Sequence, residues 1–274
     1  MPAEADRRAS GAPIAAAARV LALDGPGNFR DLGGYPTRDG GKVRWGTVFR
    51  SDAPHRLSPA DLRLIESLDL RIAYDLRTDE ERQRTPSMLP DSVRRQVLPI
   101  GGGAAHTRAN YGSLREHPEN IPEDFLPRLY RALAEDAAPV FGQLLTSLAA
   151  PGSVPALIHC TAGKDRTGVA VALLLSVLDV DQTTILDDYV LSATHFTERS
   201  MARLAARIPD AADRERYRAV LGAPRHAMRE LLSTLREQYG GVTEYLITAA
   251  GLESETIARL RSLLVVPTEP VSLG

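Results

Sequence analysis

The chain has 274 residues and a formal net charge of −2, and 43% of its residues are hydrophobic. This length allows one large domain or two small ones, and the apolar content is ample for a buried core. The near-neutral charge provides no global basic field, so the composition argues against nucleic acid as a partner.

We expect no classical secretory signal among the first residues. Residues 1 to 19 are rich in alanine, arginine and acidic residues, and we predict a disordered tail there. The run Ala15 to Ala18 is too short, and Arg19 too close, for the apolar region of a secretory signal. The apolar run Val169 to Leu178 stops at Asp179, short of the roughly 18 residues that span a bilayer. We therefore predict no transmembrane segment and a protein that is cytoplasmic, or secreted without a classical signal peptide.

Strand and helix signals alternate in the first half of the chain. Glycine pairs at Gly33–Gly34 and Gly40–Gly41 predict turns between N-terminal strands, the later of which covers Lys42 to Arg50. Ser58 to Asp61 and Thr78 to Glu81 are typical helix starts, and we interpret the acidic residues of the second start as structural. Further predicted strands are Arg71 to Leu76, Val93 to Ile100 and Val154 to His159, and predicted helices are Pro122 to Ala134 and Ala138 to Ala149.

The sequence after Val177 has helical periodicity almost throughout. We expect a single domain over residues 20–264, a helical cover or lid at about 182–238, and a tail over 265–274. The predicted helices are Gln182 to Thr194, Phe196 to Ile208, Arg214 to Leu221, His226 to Gln238, Val242 to Ala249 and Ser254 to Leu264.

The most informative stretch is the loop His159-Cys160-Thr161-Ala162-Gly163-Lys164-Asp165-Arg166-Thr167-Gly168. The five small or polar residues between Cys160 and Arg166 can wrap their backbone N–H groups round a tetrahedral oxyanion. A helix, which we expect from Thr167 onward, adds a dipole that favours negative charge at the same place. The loop therefore predicts a phosphate site.

The side chains of this loop suit nucleophilic chemistry. A thiol at a helix N-terminus beside a guanidinium is readily ionised, so Cys160 is the expected nucleophile. Arg166 can hold two phosphoryl oxygens with its planar fork, and we expect the Thr167 hydroxyl to donate to the Cys160 sulfur. The alternative is a small-residue turn with a structural cysteine. A nucleotide-binding P-loop is rejected, because it needs glycine at Ile158 and Ser or Thr at Asp165.

The loop resembles the HCxxGxxR[ST]G signature of the protein-tyrosine phosphatase superfamily. With NFRDLGGY at Asn28 to Tyr35, FRSD at Phe49 to Asp52 and DLR at Asp75 to Arg77, it is similar to bacterial PtpB-like phosphatases from about Asn28 to Leu264. The resemblance implies an α/β fold with a central, mostly parallel sheet flanked by helices. It also implies phosphotyrosine hydrolysis through a phosphocysteine, with phosphoserine, phosphothreonine and phosphoinositides as further substrates. Within the NFRD segment we expect a structural hydrogen-bond network.

Two residues of the loop depart from the simplest pattern. Family members carry a general acid on a separate loop, but here that region offers only His106 and Arg108, which shifts the role to Asp165. Alternatively, Asp165 pairs with an arginine or lysine to fix the loop. Lys164, one of two lysines in the chain, can reach a second anionic group on a substrate, or is simply a solvated lysine.

These inferences define the expected site. No metal or cofactor is predicted, because the six histidines show no H-x-x-x-H or H-E-x-x-H pairing. Two rival functions remain: a catalytically silent phosphate-binding module, and a sulfurtransferase that carries a persulfide on Cys160. The sequence does not indicate the oligomeric state. The expected catalytic residues are Cys160, Arg166 and Asp165, and the expected phosphate- or substrate-binding residues are Thr161, Ala162, Gly163, Lys164, Thr167 and Gly168.

Overall fold

A computed structural model of the chain describes residues 19–101, 116–205 and 210–267. Its strands are β1 Arg30–Asp31, β2 Lys42–Val43, β3 Val48–Ser51, β4 Ile72–Asp75, β5 Arg94–Val97, β6 Ala156–His159 and β7 Val265–Val266. Five of them form one sheet in the order β1-β3-β6-β4-β5, in which only the β1–β3 pair is antiparallel. The other two, β2 and β7, form a separate antiparallel pair. The expected mostly parallel sheet is confirmed.

Helices cover both faces of this sheet, and its central strands β3, β4 and β6 are buried along their whole length for that reason. On β6, Ala156 and Ile158 pack into the larger core, whereas Leu157 faces a smaller core that includes Ile65 of the first helix. The helices are α1 Pro59–Ser67, α2 Asp79–Arg84, α3 Phe125–Asp136, α4 Ala138–Leu148, α5 Asp165–Val177, α6 Gln182–Ala205, α7 Ala211–Leu221, α8 Arg225–Tyr239, α9 Val242–Thr248 and α10 Ser254–Leu264.

Two capping boxes begin α1 and α2, as the sequence predicts. The Ser58 hydroxyl accepts a hydrogen bond from the amide of Asp61, whose carboxylate accepts one from the Ser58 amide in return. Thr78 and Glu81 form the same reciprocal pair at α2. Each cap of this kind stabilises a helix by about 1 kcal/mol. The second box also fixes the position of Glu81, which matters for the site described below.

Several boundaries differ from the expected ones. Helix α5 begins at Asp165 rather than Thr167, so Asp165 and Arg166 lie in its first turn. Helix α6 is continuous through residue 195, where two helices were predicted, because no proline or glycine interrupts it. Arg19, assigned to the tail, is buried and stacks 3.7 Å from the Tyr35 ring centroid. Val265 and Val266, also assigned to a tail, form β7.

Some expectations fall beyond the described residues. The candidate general-acid region with His106 and Arg108 lies outside them, as do residues 1–18 and 268–274. In the part of the chain that the structure describes, no helix is both long enough and apolar enough to span a membrane.

Candidate active site

The phosphate-loop sequence lies at the carboxyl end of the central strand. His159 ends β6 and is in register with Ser51, the last residue of β3, and with Asp75, the last residue of β4. Carboxyl ends of parallel strands meet at one edge of a sheet, which is where ligand sites of open α/β folds form. The loop therefore lies between the segments that follow β3 and β4, with α5 directly behind it.

Three consecutive carbonyl groups of the loop are bonded away from its arc. By contrast, none of the amides of residues 161–167 donates a hydrogen bond to another described residue. They remain available as donors to an oxyanion held in the arc. The outward bonds run from the Ala53 amide to Thr161 O (3.1 Å), from Asn28 Nδ2 to Ala162 O (3.1 Å) and Gly163 O (3.0 Å), and from the Arg50 guanidinium to Gly163 O (2.7 Å).

Gly163 is required by this close packing. Its φ is +65°, in the left-handed region, and a Cβ there would lie 2.4 Å from the backbone oxygen of Ser51. A side chain would meet backbone atoms that cannot move aside without displacing β3. The glycine thus lets the loop rest directly on the end of the neighbouring strand.

Cys160 and Arg166 are brought together at the two ends of the arc, and they are only 2% and 3% exposed. Arg166 Nε and Thr167 Oγ1 are buried and have no hydrogen-bond partner in the described part of the chain. The expected bond from Thr167 to the Cys160 sulfur is therefore not formed here. Unsatisfied buried donors are rare in native proteins, and two beside one arc of free amides indicate a site for an anion.

Glu81 is a member of this site that we did not expect. Its two carboxylate oxygens accept hydrogen bonds of 2.7 Å from the two terminal nitrogens of Arg166, and the Thr161 hydroxyl donates to it as well. This end-on pairing leaves Arg166 Nε without a partner in the described part of the chain. Glu81 could have been identified as a candidate site residue from the sequence, because the Thr78 capping box places it just after β4 at the same edge of the sheet.

The electrostatics of the Arg166–Glu81 pair follow from burial and mutual charge. Burial alone would raise the pKa of Glu81, but hydrogen bonds and the charge of Arg166, with help from Thr161, lower it to about 2. Burial would also lower the pKa of Arg166, yet the Glu81 hydrogen bonds and the nearby Cys160 and Asp165 raise it above its usual range. Glu81 is consequently ionised near neutral pH, which argues against it as the proton donor.

The side chains of Lys164 and Asp165 are buried and bind other parts of the protein. Lys164 is 3% exposed, and its ammonium donates to the carbonyls of Val220 and Gly222 at the C-terminal end of α7. Asp165 Oδ1 lies 3.3 Å from Lys164 Nζ and accepts a 2.8 Å hydrogen bond from the Tyr130 hydroxyl. The alternative that Lys164 is exposed to solvent is therefore wrong. The alternative that Asp165 pairs with a basic residue agrees with the contact between Asp165 and Lys164.

A buried charge network supports the loop from below. Asp188 of α6 accepts hydrogen bonds from Arg30, Arg50 and the Tyr35 hydroxyl, and all three charged side chains are buried. Burial would raise the pKa of Asp188, but the two guanidinium groups hold it far below its usual range. Two cations oppose one anion, so the network leaves one positive charge beneath a loop whose Gly163 carbonyl binds Arg50.

The comparison with protein families decides the identity of the chain. A model described as the tyrosine phosphatase family matches residues 21–266. The chain belongs to this family. A Cupriavidus necator protein named as a tyrosine-protein phosphatase is 32% identical over 188 residues, covering 68% of each chain. The triple specificity protein phosphatase PtpB of Mycobacterium tuberculosis is 30% identical over 281 residues, covering 90% of this chain and 99% of its own.

Membership makes the chain a phosphatase of the tyrosine phosphatase class. The mostly parallel sheet between helices confirms the fold class that the resemblance implied. The tyrosine phosphatase signature, from Cys160 to Gly168, forms the loop after β6 and the first turn of α5. The hydrogen-bond network expected within the NFRD segment exists for Asn28 and Arg30. Asp31 belongs to a different cluster, in which it accepts bonds from the amides of Gly33 and Gly46.

His159, which precedes the signature cysteine of this phosphatase, should make stability depend on pH. Burial lowers its pKa to about 4, despite Asp75 at 3.8 Å, so the folded chain keeps it neutral where an unfolded histidine is protonated. The stability that neutral His159 contributes is fully present above about pH 6.5, the usual pKa of an unfolded histidine. It is lost as the pH falls towards about 4, because the unfolded chain then binds a proton that the folded chain does not. Between pH 7 and 4.5 the unfolding free energy should fall about 2 to 3 kcal/mol more than in His159→Gln.

Urea unfolding at the two pH values measures this difference. The exposed His226 provides the control, and His226→Gln should lose as much stability on acidification as the unchanged chain. An equal loss in His159→Gln and the unchanged chain would show that His159 carries no such linkage.

Proposed function

We propose that the chain hydrolyses phosphotyrosine monoesters with Cys160 as nucleophile, Arg166 as the phosphoryl-binding fork and Asp165 as the general acid. The observation that carries this proposal is the buried, unpartnered Nε of Arg166 beside an arc whose carbonyls are held outwards. Donors arranged in this way before an anion binds stabilise developing charge without reorganisation.

In the first step the Cys160 thiolate attacks phosphorus in line, and an S–P bond forms as the P–O bond to the leaving group breaks. The electron pair goes to the leaving oxygen, which takes a proton from Asp165. In the second step water attacks phosphorus, gives a proton to Asp165 and releases the thiolate. Arg166 and the amides of Thr161 to Arg166 would hold the phosphoryl oxygens through both steps.

Other loop residues contribute shape and support in this proposal. Thr161, Ala162 and Gly163 would bind phosphate through their amides, since their carbonyls are committed elsewhere. Thr167 would donate its unpartnered hydroxyl when an anion or thiolate is present. Gly168 keeps α5 close to α6, because a Cβ there would lie 3.2 Å from the Tyr189 ring. Glu81 would be a positioning residue for Arg166.

Assays on the purified chain test this function against its rivals. Turnover of p-nitrophenyl phosphate and of a phosphotyrosine peptide is expected, and thiosulfate should not be a substrate. No phosphate release would indicate a catalytically silent module, and persulfide transfer would indicate a sulfurtransferase. Because one relative is named for triple specificity, phosphoserine and phosphothreonine peptides and phosphoinositide vesicles complete the panel. The location of the protein, cytoplasmic or secreted without a classical signal, stays a prediction.

The contacts of Lys164 change what its substitution should do. Lys164→Met would leave the carbonyls of Val220 and Gly222 without their charged donor, a cost of about 1 to 3 kcal/mol. We therefore expect turnover of a phosphotyrosine peptide and of a phosphoinositide to fall together, each by roughly 3- to 30-fold, because loop and α7 separate. Comparing kcat/KM for the two substrates measures this.

The matched control is Lys42→Met, since Lys42 is the only other lysine and is exposed on β2. It should leave both activities unchanged. A loss confined to the phosphoinositide would contradict the expectation and would support contact between Lys164 and a second phosphate in the complex.

A further inference from the structure

Two buried tyrosines form a hydrogen-bonded chain that ends on Asp165. The Tyr189 hydroxyl of α6 lies 2.6 Å from the Tyr130 hydroxyl of α3, which lies 2.8 Å from Asp165 Oδ1. The two rings meet edge to face, with an interplanar angle of 89° and centroids 5.9 Å apart. Both side chains are buried, so no bulk water competes for these bonds.

The direction of the chain follows from the groups it joins. Burial, followed by the charge of Asp165, raises the pKa of both phenols, so each keeps its single proton. An ionised Asp165 only accepts, so Tyr130 must donate its proton there, and Tyr189 must then donate to Tyr130. The Lys164 ammonium approaches the same Oδ1 at 3.3 Å. Oδ1 thus accepts one hydrogen bond and lies beside a cation, whereas Oδ2 has no hydrogen-bond partner among the described residues.

We propose that Tyr130 and Tyr189 are positioning residues that fix the Asp165 carboxyl group so that Oδ2 is the oxygen that exchanges the proton with substrate. This inference rests on the proposed function, in which Asp165 is the general acid. Oδ1 keeps its acceptor role towards Tyr130 in both protonation states, and the proton of the acid therefore resides on Oδ2.

Tyr130 and Tyr189 neither gain nor lose a proton during the reaction. When the P–O bond breaks, the leaving oxygen takes its electron pair and the proton from Oδ2, and the charge of the new carboxylate is stabilised by the Tyr130 hydroxyl and the nearby Lys164 ammonium at Oδ1. When water attacks the phosphocysteine, its proton goes to Oδ2 as the S–P bond breaks. The phenols stay protonated throughout, and their effect is on the orientation of the acid.

Removal of the Tyr130 hydroxyl should therefore affect poor leaving groups selectively. For Tyr130→Phe we expect kcat/KM to fall about 10- to 50-fold with phenyl phosphate and less than about threefold with p-nitrophenyl phosphate, which needs little protonation. Tyr189→Phe removes only the outer hydrogen bond and should show the same selectivity at about 2- to 5-fold. It also serves as the second variant if Tyr130→Phe does not fold.

Tyr245→Phe is the matched control, because its buried hydroxyl donates to the Ala134 carbonyl of the same helix α3 without reaching Asp165. It should lower thermal stability to a similar extent while leaving the ratio of the two kcat/KM values unchanged. Equal losses for both substrates in Tyr130→Phe, or no loss, would overturn the proposal and leave the tyrosines structural.

Asp165→Asn on the same substrates separates this proposal from the function on which it rests. Selectivity in Asp165→Asn without selectivity in Tyr130→Phe would refute the tyrosine chain but support the acid. Turnover by the unchanged chain with no selectivity in Asp165→Asn would refute the acid assignment and the positioning proposal together.

Discussion

Cys160→Ser should lower the turnover of p-nitrophenyl phosphate by more than about 10⁴-fold, because an alcohol is not ionised by this loop and attacks phosphorus poorly. Binding should survive, since the donors that hold the phosphoryl group are Arg166 and the main chain. Titration calorimetry with a phosphotyrosine peptide should give an affinity at least equal to that of the unchanged chain. Phosphate release above background by purified Cys160→Ser would exclude Cys160 as nucleophile.

The chain offers an internal check on this result, because Cys160 is its only cysteine. Iodoacetate can therefore alkylate one thiol only, and activity should fall in proportion to the label incorporated. Inorganic phosphate should protect the thiol by occupying the arc. Full labelling with retained activity would contradict the assignment as firmly as an active serine variant.

Arg166→Lys should lower kcat/KM for a phosphotyrosine peptide by about 10³-fold. Lysine keeps the charge but loses the planar fork, whose terminal nitrogens bind Glu81 and whose Nε is unpartnered among the described residues and available for phosphate.

Glu81→Gln tests the same geometry from the other side. Glutamine can accept only one of the two bonds, so the fork loses its alignment and kcat/KM should fall about 10- to 100-fold.

Glu80→Gln is the control for Glu81→Gln, since Glu80 is on the same helix but pairs at the surface with Arg84. Its effect should stay within about twofold. Because the pKa of Glu81 is about 2, the carboxylate is charged from pH 4 to 8, and the loss in Glu81→Gln should be independent of pH there. If the two variants behave alike, Glu81 does not position Arg166.

Features encoded by neighbouring residues were predictable from the sequence. The capping boxes at Ser58 and Thr78 need only four consecutive residues each, and the phosphate loop needs ten. The loop motif also carried the family resemblance that the family match confirms. The predicted start of α5 lies two residues after the observed one, because the local sequence does not distinguish a loop from a first helical turn at Asp165 and Arg166.

Contacts between distant parts of the chain were not predictable in this way. Glu81 reaches Arg166 only because α2 follows the strand beside β6, and the sequence does not state strand order. Lys164 was expected to project from the loop, but the end of α7 packs over it and supplies two carbonyls. Asp188 looked like any polar residue of an amphipathic helix until packing placed it between Arg30 and Arg50.

The network around Asp188 also has a consequence for the order in which a ribosome delivers this chain. Arg30 and Arg50 leave the exit tunnel long before Asp188, and the Gly163 carbonyl that Arg50 binds also appears before it. Until Asp188 arrives, Arg30 and Arg50 lack the carboxylate that pairs with both of them, so no buried ion pair holds Arg50 at the Gly163 carbonyl. The phosphate loop should therefore take its final shape only after α6 has been translated, and nascent chains that stop short of it should not yet dephosphorylate anything.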